Sequence, residues 1–300
     1  MTLIFEHHIT FDPTLNDISN TALAVLCASL KETEYALSTS QIKQAISKGA
    51  LWLTRGKHTQ RLRRVKKALL PTDKLHFYYN EAVLASEVTD ARLISDEGKY
   101  SVWYKPFGML SQGSKWSDHC TIARFAQQHL TPERPVFIVH RLDKAATGLI
   151  LIAHSKKAAR ALTNMFESRS TTGNLLAKNY QIIVHGNHST NPQPQIISSE
   201  VDEKAARSIF TCLAYDRTHD QSLISVKIDT GRKHQIRIHA ASIGFPVVGD
   251  RLHGIANSDS TKNLQLCAVS LSFICPFSTE QGQPIQKKFE IPDALKLSFV

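Results

Sequence analysis

From Tyr100 onward, apolar residues fall in short runs that alternate or cluster as strands do, with only two stripes at helical spacing among them. That order excludes a regular βαβ alternation and points to an α+β fold. Tyr100–Tyr104, Val136–Val139 and Leu149–Ala153 are rich in Val, Ile and aromatics, the residues strands favour. Tyr180–Val184, Ser208–Leu213 and Leu223–Ile228 read the same way. Ser155 caps an amphipathic helix to about Phe166, with Ala158, Leu162 and Met165 on its stripe. Ile236, Ala240 and Ile243 give a second helix, closed by Gly244. Ser189–Ser199 is polar, contains Pro192 and Pro194, and reads as a loop.

The first part of the chain reads as a separate compact unit. Ser19–Leu30 carries a helical stripe, and Ser38 or Ser40 can cap a second helix with Ile42, Ala45 and Ile46 facing inward and Gly49 as its stop. Ala50–Leu53 and Leu75–Tyr79 read as strands, with a turn at Arg55-Gly56-Lys57. A polar, acidic connector at Ser86–Ala91 divides the chain into expected domains at 1–86 and 91–300.

Charge narrows the choice of partner. The 300 residues are 42% hydrophobic, enough for a core, and the formal net charge is +10. Lys43, Lys48, Arg55, Lys57, Arg61, Arg63, Arg64, Lys66, Lys67 and Lys74 crowd into one stretch against the single acid Asp73. Such an excess points to a polyanion, most often nucleic acid. The five cysteines are odd in number and contain no C-x-x-C pair, so buried reduced thiols are expected rather than disulfides or a zinc knuckle. The 14 histidines are scattered and are expected mostly at the surface. The start of the chain lacks signal-peptide character and no apolar run is long enough to span a bilayer, so a soluble, cytoplasmic protein is expected. Motifs for NTP hydrolysis, dinucleotide redox and α/β-hydrolase chemistry are missing from the sequence.

Four segments could carry chemistry. His140-Arg141-Leu142-Asp143 lies between two apolar strands, where active-site groups are often presented, although alone it is equally a surface Arg–Asp pair. Gly231-Arg232-Lys233-His234-Gln235-Ile236-Arg237-Ile238-His239 follows a strand and opens the second helix. Arg237 lies one turn after Lys233, so the two are expected on one face with Ile236 turned to the core. Arg237 could grip a carboxylate by a bidentate pair, or the segment could be a basic helix end touching phosphate alone. Lys178-Asn179-Tyr180 offers a tyrosine that could stack on an unpaired base or simply belong to the core. Tyr104-Lys105-Pro106-Phe107-Gly108 is a strand leading into a turn.

In this order the segments resemble the RluA-type family of RNA pseudouridine synthases. The resemblance rests on the Lys-Pro-x-Gly turn, His140–Lys144 with Thr147-Gly148-Leu149, Lys178-x-Tyr180 and Gly231–His239, extended by Gly244-x-Pro246-Val247-x-Gly249-Asp250 and Leu252-x-Gly254. It covers about Tyr100 to Pro276. The segment from about Leu15 to Val83 is similar to the alpha-L RNA-binding fold of a small-subunit ribosomal protein, mainly through Ser40–Lys57.

The resemblance implies a mixed, mainly antiparallel sheet with flanking helices and a central cleft. It implies isomerisation of uridine to pseudouridine in structured RNA, ribosomal before transfer RNA, by a monomer without metal or organic cofactor. Asp143 is then the catalytic carboxylate, Tyr180 stacks on the uracil, and Arg237 pairs with Asp143 and keeps it ionised. Arg141 fills the place of the flipped nucleotide. Further RNA contacts are expected from His140, Lys105, Arg232 and His234, and from Arg61, Arg63, Arg64, Lys66 and Lys67. Two departures from the family pattern stand beside the site. Ala146-Thr147-Gly148 replaces Thr-Ser-Gly, and Leu110-Ser111 replaces a Val-His pair. The competing reading is a non-catalytic RNA-binding or ribosome-assembly protein on the same scaffold, which an intact Asp143, Tyr180 and Arg237 set disfavours. A metal-dependent RNA nuclease is disfavoured by the lack of a carboxylate cluster.

Overall fold

The computed structural model describes residues 2–14, 19–35, 37–167, 176–254, 261–280 and 283–299. Two compact units emerge, Met1–Glu87 with Gln112–Arg124, and Val88–Ser111 with Phe125–Val300.

The smaller unit contains β1 (Ile4–Thr10), α1 (Ala22–Lys31), α2 (Thr39–Ser47), β2 (Leu51–Arg55), β3 (His58–Arg61), β4 (Lys74–Asn80) and α3 (Glu81–Ala85). The strands form one sheet in the order β1-β4-β2-β3. Ser38 caps α2 through a reciprocal box. Gln41 N–H donates to Ser38 Oγ at 3.3 Å, and Ser38 N–H donates to Gln41 Oε1 at 2.8 Å. Leu26, Ile42, Ile46, Leu51 and Phe77 make the core between helices and sheet. The periodicity of β1 was not apparent because its only fully buried side chain is Phe5.

The segment 112–124 is held inside this unit. Trp52 Nε1 donates to Lys115 O at 3.0 Å, Ser117 Oγ to Lys48 O at 2.9 Å, and Arg61 Nη2 to Ser114 O at 2.6 Å. Arg63 pairs with Asp118, and Arg61 also donates to Gly49 O while its guanidinium lies 4.3 Å from the Trp52 ring centre. Arg61 and Arg63, expected as RNA contacts, are thus paired with groups of the protein itself. Arg64 and Lys66 are exposed, and Lys67 is half-buried.

The larger unit is built on a ten-stranded sheet. Its elements are β5 (Arg92–Asp96), β6 (Tyr100–Lys105), β7 (Phe137–Ile138), β8 (Thr147–Ala153), α5 (Lys156–Glu167), β9 (Leu176–His185), β10 (Gln195–Val201), β11 (Lys204–Asp216), β12 (Gln221–Ile228), α6 (Gln235–Ser242), β13 (Leu266–Glu280) and β14 (Gln283–Glu290). The helix α4 (Ile122–His129) lies across the division between the units. The sheet order is β10-β11-β12-β9-β13-β8-β6-β5, with β14 beside β13 and β7 beside β8. Among the described residues only β13 and β8 pair in parallel, so the sheet is mixed and mainly antiparallel, as expected. β8 is buried on both faces, because Ala158 and Leu162 of α5 pack with Leu149 and Leu151 in one core. On the other face Trp103 meets Phe125 edge to face, with ring centres 6.0 Å apart.

Two sequence expectations are corrected here. The segment Ser189–Ser199 is not all loop, since Gln195–Val201 forms β10 against β11. The histidines are not mostly exposed either. His8, His58, His129 and His219 are, but His154, His188 and His239 are buried, as are Cys267 and Cys275.

One close approach sets where the sheet converges. Lys105, Gly148, Ala268, Tyr180, Val226 and Phe210 are successive cross-strand partners on one row. A Cβ on Gly148 would lie 2.3 Å from Ala268 O, and its φ of +106° suits glycine alone. Gly56 also has positive φ, +58°, but has open space around it. Gly148→Ala should therefore cost about 3 kcal/mol or more and Gly56→Ala about 1 kcal/mol, measured by urea denaturation.

Burial holds His140, His154, His188 and His239 below the ordinary histidine range. The unfolded chain takes up these protons near pH 6.5 and the folded protein does not, so stability is present above that pH and is lost as pH falls below it. His239→Gln should flatten the loss between pH 6.5 and 5 by up to ~1.4 kcal/mol per pH unit, read from denaturation midpoints.

Candidate active site

The site begins where β6 ends and β8 begins, and two loops are fastened together there. Lys105 is fully buried, and its Nζ donates to Ala146 O at 2.6 Å, Met109 O at 2.8 Å and Pro106 O at 3.1 Å. A fourth carbonyl, Lys144 O, lies farther off at 3.4 Å, so the three closer ones take the three protons of an ammonium group. Burial pulls Lys105 down to about 7, while Asp143 acts in the opposite direction. Gly108 N–H donates to Lys144 O at 3.0 Å. Ser111 Oγ donates to Leu142 O at 2.8 Å and accepts from Leu142 N–H at 3.0 Å. Ser111, singled out as a departure, thus grips both backbone groups of the residue before Asp143. Ala146, the other departure, contributes the carbonyl that Lys105 holds.

Asp143 stands on this braced loop with its side chain 28% exposed. Arg237 Nη1 approaches Asp143 Oδ2 at 3.4 Å, and His234 Nε2 approaches the same oxygen at 3.7 Å. The tighter partner of Arg237 is Asp250. Arg237 Nε donates to Asp250 Oδ2 at 2.7 Å, and Nη2 donates to Oδ1. Asp250 Oδ1 also accepts the Leu252 N–H at 2.9 Å and the His253 N–H at 3.1 Å. Burial alone would raise the Asp250 carboxyl, but Arg237 and the two amides outweigh it and hold it below the usual carboxylate range.

The segment before α6 is set by Gln235. Its Oε1 accepts from Thr230 Oγ1 at 2.7 Å and Arg232 N–H at 3.1 Å, and its Nε2 donates to Arg207 O and Ser208 Oγ, both at 3.0 Å. His234 caps the helix with a left-handed φ of +55°. Its Nδ1 lies 3.0 Å from His253 Nε2, and burial lowers its pKa. Lys233 precedes the helix, so the expected shared face with Arg237 does not form. Arg237 and Ile236 are both buried, and Lys233 is exposed.

The remaining expected residues divide by burial. Arg141 and Arg232 are exposed. Tyr180 is 7% exposed and sits on the cross-strand row that also carries Gly148 and Lys105. Lys105 was expected to touch RNA, but a side chain with 0% exposure cannot, and it braces the loops instead. His140 also serves the fold. Its Nε2 accepts the Leu151 N–H at 3.0 Å and its ring lies 4.4 Å from that of Phe166, centre to centre. Asp250 and His253 had no role assigned from sequence, although Asp250 lay in a quoted motif. An acid following a buried arginine helix was the available signal.

The chain matches the model of the family described as RNA pseudouridylate synthase over residues 99–242. It is 29% identical to an uncharacterised RNA pseudouridine synthase of Aquifex aeolicus, over 86% of this chain and 87% of that one. It is 32% identical to the ribosomal large subunit pseudouridine synthase D of Xylella fastidiosa, over 39% of this chain and 37% of that one. It is 30% identical to the tRNA pseudouridine synthase C of Pectobacterium carotovorum, over 52% and 48% of the two chains. The solved structure of human RNA pseudouridylate synthase domain containing 1 shares the fold, with a TM-score of 0.54 at 20% identity over 69% of this chain and 85% of that one. Among the described residues no helix is long and apolar enough to cross a membrane. The family model spans the braced Asp143 loop, Tyr180 and the Arg237 helix in a single match, and over that span the chain is similar to the RNA pseudouridine synthases.

Proposed function

We propose that Asp143 is the catalytic carboxylate with which this enzyme isomerises uridine to pseudouridine in structured RNA, ribosomal RNA being the favoured target. The observation that carries the assignment is the buried Arg237–Asp250 fork, whose remaining Nη1 points at the half-open Asp143. Such a fork fixes the arginine before substrate arrives, so that a preset cation stands beside the carboxylate. The reaction breaks N1–C1′, turns the uracil and joins C5 to C1′. Asp143 is the group placed to act at the sugar or base, and no bound metal or organic group is invoked. Tyr180 stacks on the uracil from the central row of the sheet. The exposed Arg141, two residues from Asp143, takes the place of the nucleotide that leaves the helix. Flipping is required because the reacting atoms are shielded inside a stack.

Residues 1–86 act as an RNA-binding module of alpha-L type. Two helices on a small sheet and the exposed Arg64 and Lys66 support this reading. The module also supports a ribosomal target, as does the likeness to a large-subunit enzyme, although a tRNA enzyme is among the relatives as well.

Asp143→Asn keeps the shape and removes the charge. Pseudouridine formation in unmodified ribosomal RNA should fall to background while RNA affinity is retained, and substantial turnover would refute the assignment. Arg237→Met should abolish turnover and also destabilise the protein by about 3–5 kcal/mol, because Asp250 is left as an unpaired buried charge. A denaturation curve beside the activity assay separates the two effects.

In the module, replacing Arg64, Lys66 and Lys67 with Gln should flatten the log–log salt dependence of RNA affinity by about 0.7 for each phosphate no longer neutralised. Replacing Arg61 and Arg63 should instead lower the thermal stability of the module. Equal salt slopes for wild type and the first variant would show that those three residues do not touch RNA.

A further inference from the structure

A short loop joins the Arg237 fork to an apolar side chain that has no place in the reaction described above. Leu252 is 69% exposed, more than any other large hydrophobic residue among those described. An exposed leucine is ordinary by itself. The backbone that carries this one is anchored. Its N–H donates to Asp250 Oδ1 at 2.9 Å, the oxygen that also receives Arg237 Nη2. Gly254 N–H donates to Asp250 O at 3.0 Å, and a Cβ on Gly254 would lie 2.2 Å from that oxygen. A Cβ on Gly249 would lie 2.2 Å from Asn263 O. The next residue, His253, turns its ring to His234, which borders Asp143. The loop is therefore closed tightly on both sides, with its polar anchors directed to the site and its leucine directed to solvent.

The charge at the site identifies the occupant. Arg141 and Lys144 flank Asp143, Arg232 and Lys233 precede His234, and all four are exposed. Cations beside Asp143 and His234, with an apolar side chain on a loop anchored to the same site, suit a nucleic acid, whose phosphates meet the charges and whose base faces meet the leucine. A protein or membrane partner would call for a contiguous apolar patch rather than a single prong.

We propose that Leu252 is a wedge that packs against the base next to the target uridine and holds the stack open while that uridine is turned out. This rests on the functional reading above and adds a second element to the flipping step, beside Arg141. No covalent step is involved, and Leu252 is a positioning residue. Its anchorage to Asp250 places the wedge in register with Arg237, and hence with Asp143.

The test uses the full chain and a hairpin cut from ribosomal RNA around a uridine that the wild type converts, with 2-aminopurine as the neighbouring base. The same sequence as an unpaired oligonucleotide is the control. Leu252→Ala should lower kcat/KM on the hairpin by at least about tenfold, the lower bound for removing a leucine that becomes buried against a base. On the unpaired strand it should stay within about twofold, because no stack has to be opened. Leu252→Met should behave as wild type. In an Asp143→Asn background, binding should raise the 2-aminopurine fluorescence, and adding Leu252→Ala should remove most of that rise. Full activity of Leu252→Ala on the hairpin would overturn the proposal, and so would equal losses on both substrates. If wild type converts no uridine in any RNA, the functional reading itself fails and the wedge fails with it.

Discussion

The buried pair of Arg237 and Asp250 is the interaction on which the site depends. An arginine that is 5% exposed would be costly without a partner, and a buried aspartate equally so. Joined as a fork, each satisfies the other, and the amides of Leu252 and His253 complete the carboxylate. The pair leaves one guanidinium nitrogen directed at Asp143, 3.4 Å away. A residue that would otherwise swing on a flexible stem becomes a fixed cation. Asp143 is then positioned from two sides, by that cation and by the loop on which it stands.

The loop is fixed by buried groups. Lys105 draws three carbonyls from two segments to one nitrogen, and Ser111 holds Leu142 through both backbone groups. Gly148 brings β8 against β13 at a distance that no side chain would permit. Tyr180 is placed one strand further along the same row. Asp143, Tyr180 and Arg237 thus come from distant parts of the sequence, and their spacing is set by sheet register and close packing rather than by local motif geometry.

Sequence reasoning recovered the parts whose physics is local. The α5 stripe, the Ser38 cap and the apolar strands β6, β8, β9 and β12 are written in residue spacing, and all are present. The Asp143 and Arg237 motifs were legible because their residues are contiguous. Long-range pairing was less legible. Arg61 and Arg63 read as a basic patch, and nothing near them in sequence announces Asp118 as their partner. Lys105 and His140 carry polar atoms, so they read as RNA contacts, yet both face inward to satisfy backbone groups. β10 was hidden by the prolines just before it, and β1 by its single buried residue. Asp250 follows Arg237 by too many residues for helix or strand periodicity to connect them.

If Asp143 acts as proposed, Asp250 supports catalysis at a distance by fixing Arg237. Asp250→Asn is nearly the same size and removes the charge while keeping one acceptor for the fork. With near-UV circular dichroism and RNA affinity confirming that the protein is folded and binds, pseudouridine formation is the deciding measurement. The expected result is a fall of about 10–100-fold in kcat, the usual cost of loosening the support of a catalytic group, with RNA affinity unchanged. Undiminished kcat in the folded variant would contradict the claim.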